Sequence, residues 1–412
     1  MTIERDIAPH PGLGFAGFVA LIAAMMMVNA LGIDSMLPAL PAMGKALGIP
    51  HENDRQWIIA AYLIAFGAAT LIYGPLSDRY GRKPVLIMAL VLNAVASASA
   101  VFATSFVTII VVRVMQGLTA ASTRVIATSI VRDCYSGRQM ARVMSLVFIV
   151  FLAVPVLAPG FGQLILLVAP WQWIFLVLGV FSLVLAILVW FRLPETLHPD
   201  DVRRIAAGPI AAAFRVVLTD RQSIGYTLAS TVLLGALFGF ITSVQQVFTD
   251  IFRAEAIFPL VFAGIAGSMA VSSLLNSRFV QRLGTRRISH TGLIGFILVS
   301  GAHLIFALGG RETLLSFALF QAVTMFCFAF AGSNFSSMAM APVGHIAGTA
   351  SSVQAFVTMI GGSLIGAAIG QSFDGTTVPL VTGFFLLGCA SLAIVLWTEH
   401  GRLFRPSIEP TH

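Results

Sequence analysis

Asp34, Arg113 and Arg124 are the residues best placed to do chemistry, because each interrupts a run of otherwise apolar residues. A lone carboxylate in such a run can bind and release a proton: burial favours its neutral form, and a nearby cation favours its charged form. Opening, closing or cargo binding would shift that balance and move the proton. Each guanidinium presents a fixed fork of donors to a carboxylate, a carbonyl or an anionic solute. Arg113 and Arg124 are eleven residues apart, about 20° round a helix, so on a helix they share a face, with Gln116 nearby and Ala120 between them.

The rest of the chain says what surrounds these groups. Of its 412 residues, 58% are hydrophobic and 10% are charged, against about 25% charge in an average soluble domain. A chain this long folded in water needs far more polar surface, which excludes soluble, disordered and collagen-like classes. Cys134, Cys327 and Cys389 are too widely spaced for a metal cluster and imply no disulfide framework; Cys327 and Cys389 read as small buried hydrophobes. The net charge is +7, but no basic patch carries interleaved aromatics, so nucleic acid is not an expected partner.

Apolar runs of about 20 residues cross a bilayer core as helices, because a helix satisfies its own backbone in lipid. Twelve such spans are expected, near 15–44, 55–77, 84–103, 106–131, 140–167, 172–191, 223–249, 256–277, 288–308, 313–340, 346–372 and 378–397. The first is not expected to be a cleaved signal, since Glu4 and Asp6 spoil the basic start and no small-x-small site closes the run. With both termini inside, 18 of the 24 Lys and Arg fall in the tails and inner loops, and only Lys45, Arg55, Arg253 and Arg311 fall outside. That bias predicts cytoplasmic termini and explains the positive charge as topology.

The longest polar connection, 192–222, contains Pro194, Pro199, Gly208 and Pro209 and follows span 6. It divides the chain into a six-helix bundle over 1–191, a cytoplasmic linker over 192–222 and a second bundle over 223–412. A weak repeat agrees: Asp78-Arg79-Tyr80-Gly81-Arg82-Lys83 after span 2 is echoed by Gln281-Arg282-Leu283-Gly284-Thr285-Arg286 after span 8. The expected fold is therefore an all-α membrane protein, with twelve transmembrane helices in two pseudo-symmetric six-helix bundles.

This topology sets the depth of the charged groups. Asp34 lies about 20 residues along the outward-running span 1, and Arg113 about seven along the inward-running span 4. At about 1.5 Å per residue both fall in the outer half, where opposite charges could meet. Pro38, four residues after Asp34, frees the Asp34 carbonyl and bends the span. An ionisable residue here costs at least about 2.5–3.5 kcal/mol, so function is the first hypothesis: Asp34 as the proton-coupling carboxylate, tuned by Arg113. A structural salt bridge between spans 1 and 4 is the other reading. Arg124 either attracts an anionic or zwitterionic cargo or reaches the cytoplasmic headgroups.

Several motifs join these residues. Gly74-Pro75-Leu76-Ser77-Asp78-Arg79-Tyr80-Gly81-Arg82-Lys83 fits G-x-L-x-D-R-x-G-R-K at every defined position, with glycine where the backbone reverses between helices. Arg113-Val114-Met115-Gln116-Gly117 lies in span 4, and Pro155-Val156-Leu157-Ala158-Pro159-Gly160-Phe161-Gly162 in span 5, where two prolines one turn apart are expected to bend the helix. Span 1 carries Ile33-Asp34-Ser35-Met36-Leu37-Pro38-Ala39-Leu40-Pro41. Trp171-Gln172-Trp173-Ile174-Phe175 opens span 6, and Pro194-Glu195-Thr196 closes it.

Taken together these segments resemble the major facilitator superfamily, and within it the drug:proton antiporters of the bicyclomycin/chloramphenicol-resistance (Bcr/CflA) type. The resemblance covers nearly the whole chain. The span 5 segment departs from the exporter signature, with Ala158 where the family has Gly and Gln163 where it often has a second Gly. It implies a conformational gate formed by Gly74, Asp78, Arg79, Gly81, Arg82, Pro155, Pro159 and Gly162, with Asp78 facing the start of span 11 near Gly344–Ala347. It further implies proton-coupled export of small amphiphilic compounds by alternating access across a cytoplasmic membrane. A dedicated exporter or a proton symporter of one metabolite remains the alternative.

The second half contrasts with the first. Away from span ends it carries no Asp, Glu, Lys or Arg, and only His303 titrates besides thiols. Its neutral groups Gln245, Gln246, Gln321, Asn334 and Gln354 could line a substrate cavity with Asn29, Tyr62, Gln116 and Arg124, or simply bond neighbouring helices. Gly362, Gly366 and Gly370 in span 11 form a flat ridge for close packing or sliding. Gly12-Leu13-Gly14-Phe15-Ala16-Gly17 mimics a nucleotide-binding fingerprint, but no strand precedes it. No P-loop is present, no histidine pair has metal spacing, and Asn334-Phe335-Ser336 is a glycosylation triplet inside a span. The expected protein is a monomeric transporter without cofactor or metal, handling a small-molecule substrate and protons in a lipid bilayer. A membrane enzyme would need paired catalytic groups at one depth, and only Asp34 and the arginines qualify.

Overall fold

The computed structural model describes residues 13–202 and 207–404. Arg5, Arg203, Arg204 and Arg405 of the charge bias, Glu4 and Asp6, and the first glycine of the Gly12–Gly17 segment lie outside the described residues. Twelve helical segments are long and apolar enough to cross a membrane: Phe15–Ala46, Glu52–Tyr80, Arg82–Phe102, Phe106–Cys134, Gly137–Val168, Gln172–Arg192, Arg221–Ile251, Glu255–Leu283, Thr285–Leu308, Leu314–Gly344, Gly348–Gln371 and Val378–Thr398. They are spans 1–12 below. No strand occurs among the described residues. The chain is a multi-pass, all-α membrane protein.

The exposed surface of the spans fits lipid rather than water. Val107, Leu164, Leu298, Ile305 and Leu315 are each more than 60% exposed, which is costly in water and neutral against acyl chains. The same solvent corrects the expectation for two cysteines. Cys327 is only half-buried and Cys389 is exposed, whereas Cys134 is buried; a thiol facing lipid has no need of a protein core.

The chain divides into two compact units, Met1–Ile49 with Ala65–Ala206 and Pro50–Ile64 with Ala207–His412. The division at 206/207 falls inside the polar connection, but the start of span 2 groups with the second unit.

In the first unit, span 1 is broken. Its long helix ends at Asp34, a 3₁₀ turn covers Leu37–Ala39, and a short helix resumes over Leu40–Ala46. Pro38 lacks the N–H that would carry the helix through. Span 5 runs unbroken from Gly137 to Val168 through Pro155 and Pro159 and packs Val154 and Ala158 against Ala30. A Cβ built on Gly162 would stand 1.8 Å from the Ser35 carbonyl oxygen, so the two backbones touch where span 1 breaks. Buried Asn93 ties spans 3, 4 and 6, donating to Gln116 O and Thr119 Oγ1 and accepting from Ser182 Oγ at 2.9 Å.

In the second unit, spans 7 and 11 interlock through glycines. Gly235 and Gly239 receive Ile365 and Ile369, while Gly362 and Gly366 receive Leu234 and Phe238. Thr242 Oγ1 donates to Gly366 O at 3.2 Å across this seam. The ridge of span 11 is thus a close-packed surface. The start of span 2 joins it: Gln56, buried, bonds Gln246, and Asn53 donates to Gln371 O and Phe373 O.

Candidate functional site

Asp34 is the last residue of the long helix of span 1 and is 5% exposed. A helix end leaves carbonyls without backbone partners. Arg113, fully buried in span 4, donates from Nη1 to one of them, Gly32 O, at 3.0 Å and to Gln116 Oε1 at 2.9 Å. Gln116 in turn donates from Nε2 to Ser97 Oγ at 2.7 Å. The guanidinium therefore reaches the backbone two residues before Asp34. The described ion pairs do not include Asp34. Arg113 holds the helix end by its backbone, two residues before the buried Asp34.

Arg124 is set differently. It lies mid-span and is exposed, and its side chain takes part in no described hydrogen bond or ion pair. Asn29 is half-buried and Tyr62 buried. Tyr62 belongs to the second unit, Asn29 to the first.

Other cavity candidates are engaged within the second unit. Gln354 donates to Ser223 Oγ and Ala339 O, and Asn334 to Asn276 Oδ1 and Phe330 O. Gln245 donates to Thr249 Oγ1 at 2.6 Å. Gln321 is fully buried, and neither amide atom has a hydrogen-bond partner. A surface recess of about 550 Å³ lined by residues 50–54 and Gln371 contains none of these candidates.

The loop after span 2 is tightly built. Gly81 has φ +98°, a conformation side chains resist, and a Cβ there would meet Glu195 Oε2 at 2.5 Å. Glu195 accepts from the backbone N–H of Arg82 and Lys83. The Arg82 side chain, 3% exposed, donates to Asp133 Oδ2 at 3.0 Å, Ser77 Oγ at 2.8 Å and Asp78 Oδ1. Within this unit, then, the partner of Asp78 is Arg82. Gly74 lies in the helix just before, and Arg79 is exposed. Sequence reasoning missed Asp133, a polar residue at a span end with no local signal.

The echo after span 8 has the same backbone turn, Gly284 at φ +81°. There Glu399, just past span 12, accepts from Arg286 Nε at 2.8 Å and from Tyr226 OH at 2.6 Å. At the other end of this unit, buried His303 bonds Glu312, which also accepts from Thr377. The sequence shows His303 as a lone titratable group, because its partner lies in the following loop and folds back.

Groups of His, Cys, Asp and Glu able to hold a metal are absent among the described residues.

Comparison with known proteins identifies the family. The chain is 28% identical to the bicyclomycin resistance protein homolog of Haemophilus influenzae, over 92% of this chain and 95% of the relative. It is 30% identical to the multidrug resistance protein MdtL of Klebsiella pneumoniae, over 92% and 94%. The crystal structure of a D-xylose–proton symporter superposes with a TM-score of 0.73 at 13% identity, covering 94% of this chain and 98% of that one, a likeness of fold alone. The Major Facilitator Superfamily profile matches residues 22–366, so this chain is a transport protein belonging to that superfamily.

Proposed function

We propose that the protein exports small amphiphilic compounds in exchange for protons, by alternating access across a cytoplasmic membrane, as a monomer with both termini inside. The observation that carries the reading is Asp34: a carboxylate buried at the break of span 1, beside an arginine that anchors the same helix end. A carboxylate with that setting exchanges its proton when span 1 moves and its surroundings change. One charge crossing 100 mV is worth about 2.3 kcal/mol, enough for a concentration ratio near fifty. The resistance functions named for the relatives support a drug cargo, and the positive-inside charge bias supports the orientation.

Two measurements test this. Chloramphenicol added to purified protein in weak buffer is expected to release protons, and Asp34→Asn to abolish the release; unchanged release removes Asp34 from the mechanism. In an efflux-deficient bacterial host, the native protein is expected to raise resistance to several unrelated drugs. Protection against none of them would favour a single-metabolite transporter.

A further inference from the structure

We infer that Arg124 is the cargo-sensing charge of this transporter, and that its preferred cargo is an amphiphile bearing one anionic head, such as a carboxylate or sulfonate. The inference rests on the transport reading and specifies its substrate class.

The face that Arg124 occupies carries the argument. In span 4 the strongly exposed apolar residues Val107, Val111 and Met115 mark the side turned to lipid. Arg124 follows Met115 by nine residues, about half a turn away on a helix of 3.6 residues per turn. It is exposed nonetheless, on the side of the helix away from that lipid-facing stripe. A residue snorkelling to headgroups would be expected on the lipid side.

The charge is also unneutralised. Asp34 is at the level of Arg113, eleven residues or about 16 Å along the helix, beyond an arginine's reach. Asp133, nearer the inner end, is taken by Arg82 at 3.0 Å. On its own helix the neighbours of Arg124 at three and four residues are Ala120, Ala121, Ala127 and Thr128. The alanines offer no acceptor, and the Thr128 hydroxyl donates to the Arg124 carbonyl at 3.0 Å. A planar fork of donors, exposed, unpaired among the described residues and floored by short side chains, fits a carboxylate or sulfonate in two-point contact.

The test uses 2-naphthoate and 2-naphthamide, matched in shape and differing in charge. Binding of each is measured by equilibrium dialysis on the full chain in phosphatidylcholine nanodiscs. The native protein is expected to prefer the acid by about tenfold. Arg124→Gln should bring the ratio to about one, and Arg124→Lys should keep only part of it, since an ammonium offers charge without the planar fork. A native ratio near one, absence of naphthoate binding, or a preference that survives in Arg124→Gln overturns the inference. So does displacement of naphthoate when phosphatidylglycerol is added to the discs, which would assign the charge to a lipid headgroup. The assay involves no proton movement, so loss of the coupling role of Asp34 would leave its outcome standing.

Discussion

Gly162 of span 5 lies directly against the carbonyl of Ser35, the residue at which the long helix of span 1 stops. A Cβ at Gly162 would come within 1.8 Å of that oxygen and 3.2 Å of Pro38 Cγ. Backbone cannot yield as a flexible side chain does, so even a methyl group must push the two spans apart. The contact places the glycine at the end of the span 5 motif on the element that carries Asp34.

Gly162→Ala is therefore expected to destabilise the protein by about 1–3 kcal/mol, the usual cost of overpacking, and to lower export. Thermal melting in detergent and drug efflux measure the two effects. Gly264→Ala is the control: nothing lies within 4 Å of its added Cβ, and alanine favours a helix, so melting should stay level or rise. Equal melting of the two variants would deny the close contact.

Arg82 binds Asp133, Ser77 and Asp78 at once. Arg82→Gln leaves two carboxylates facing each other without a cation. The expected loss is about 2–5 kcal/mol, nearer the lower figure because the Asp78 side chain is about a third exposed. Arg82→Lys should recover little, since an ammonium cannot reproduce a planar three-way fork. Full recovery by lysine would reduce the contact to net charge.

Gln321 has a buried amide whose two polar atoms find no partner. Replacing it with methionine removes that desolvation penalty, and the melting temperature should rise by the equivalent of about 1–3 kcal/mol. If the amide is held for a cargo, binding of chloramphenicol falls in the same variant. A fall in melting temperature would show that the amide is satisfied by water.

The order of the twelve spans was legible because a bilayer imposes length, and apolar runs of that length are unmistakable. The break in span 1 could be read from Pro38, a residue with a local backbone consequence. Contacts between distant residues were not legible. The loop acid Glu312 returns to His303, and Asn53 and Gln56, polar residues at a span start, reach Gln246 and Gln371 nearly 200 and more than 300 positions away. Arg113 shows the same limit. Depth suggested a partner for it at Asp34, whereas one of its bonds goes to the Gly32 carbonyl, which only the helix end makes available.

Glu195 and Glu399 each follow the last span of a six-span set, and each returns to the loop between that set's second and third spans. The stitch that gathers this end of either set is thus sewn entirely with its own thread. A nick in the segment joining the sets would sever neither seam. Cleaved chains should accordingly keep the melting behaviour of intact ones, whereas Glu399→Gln should loosen the second set and leave the first as it was.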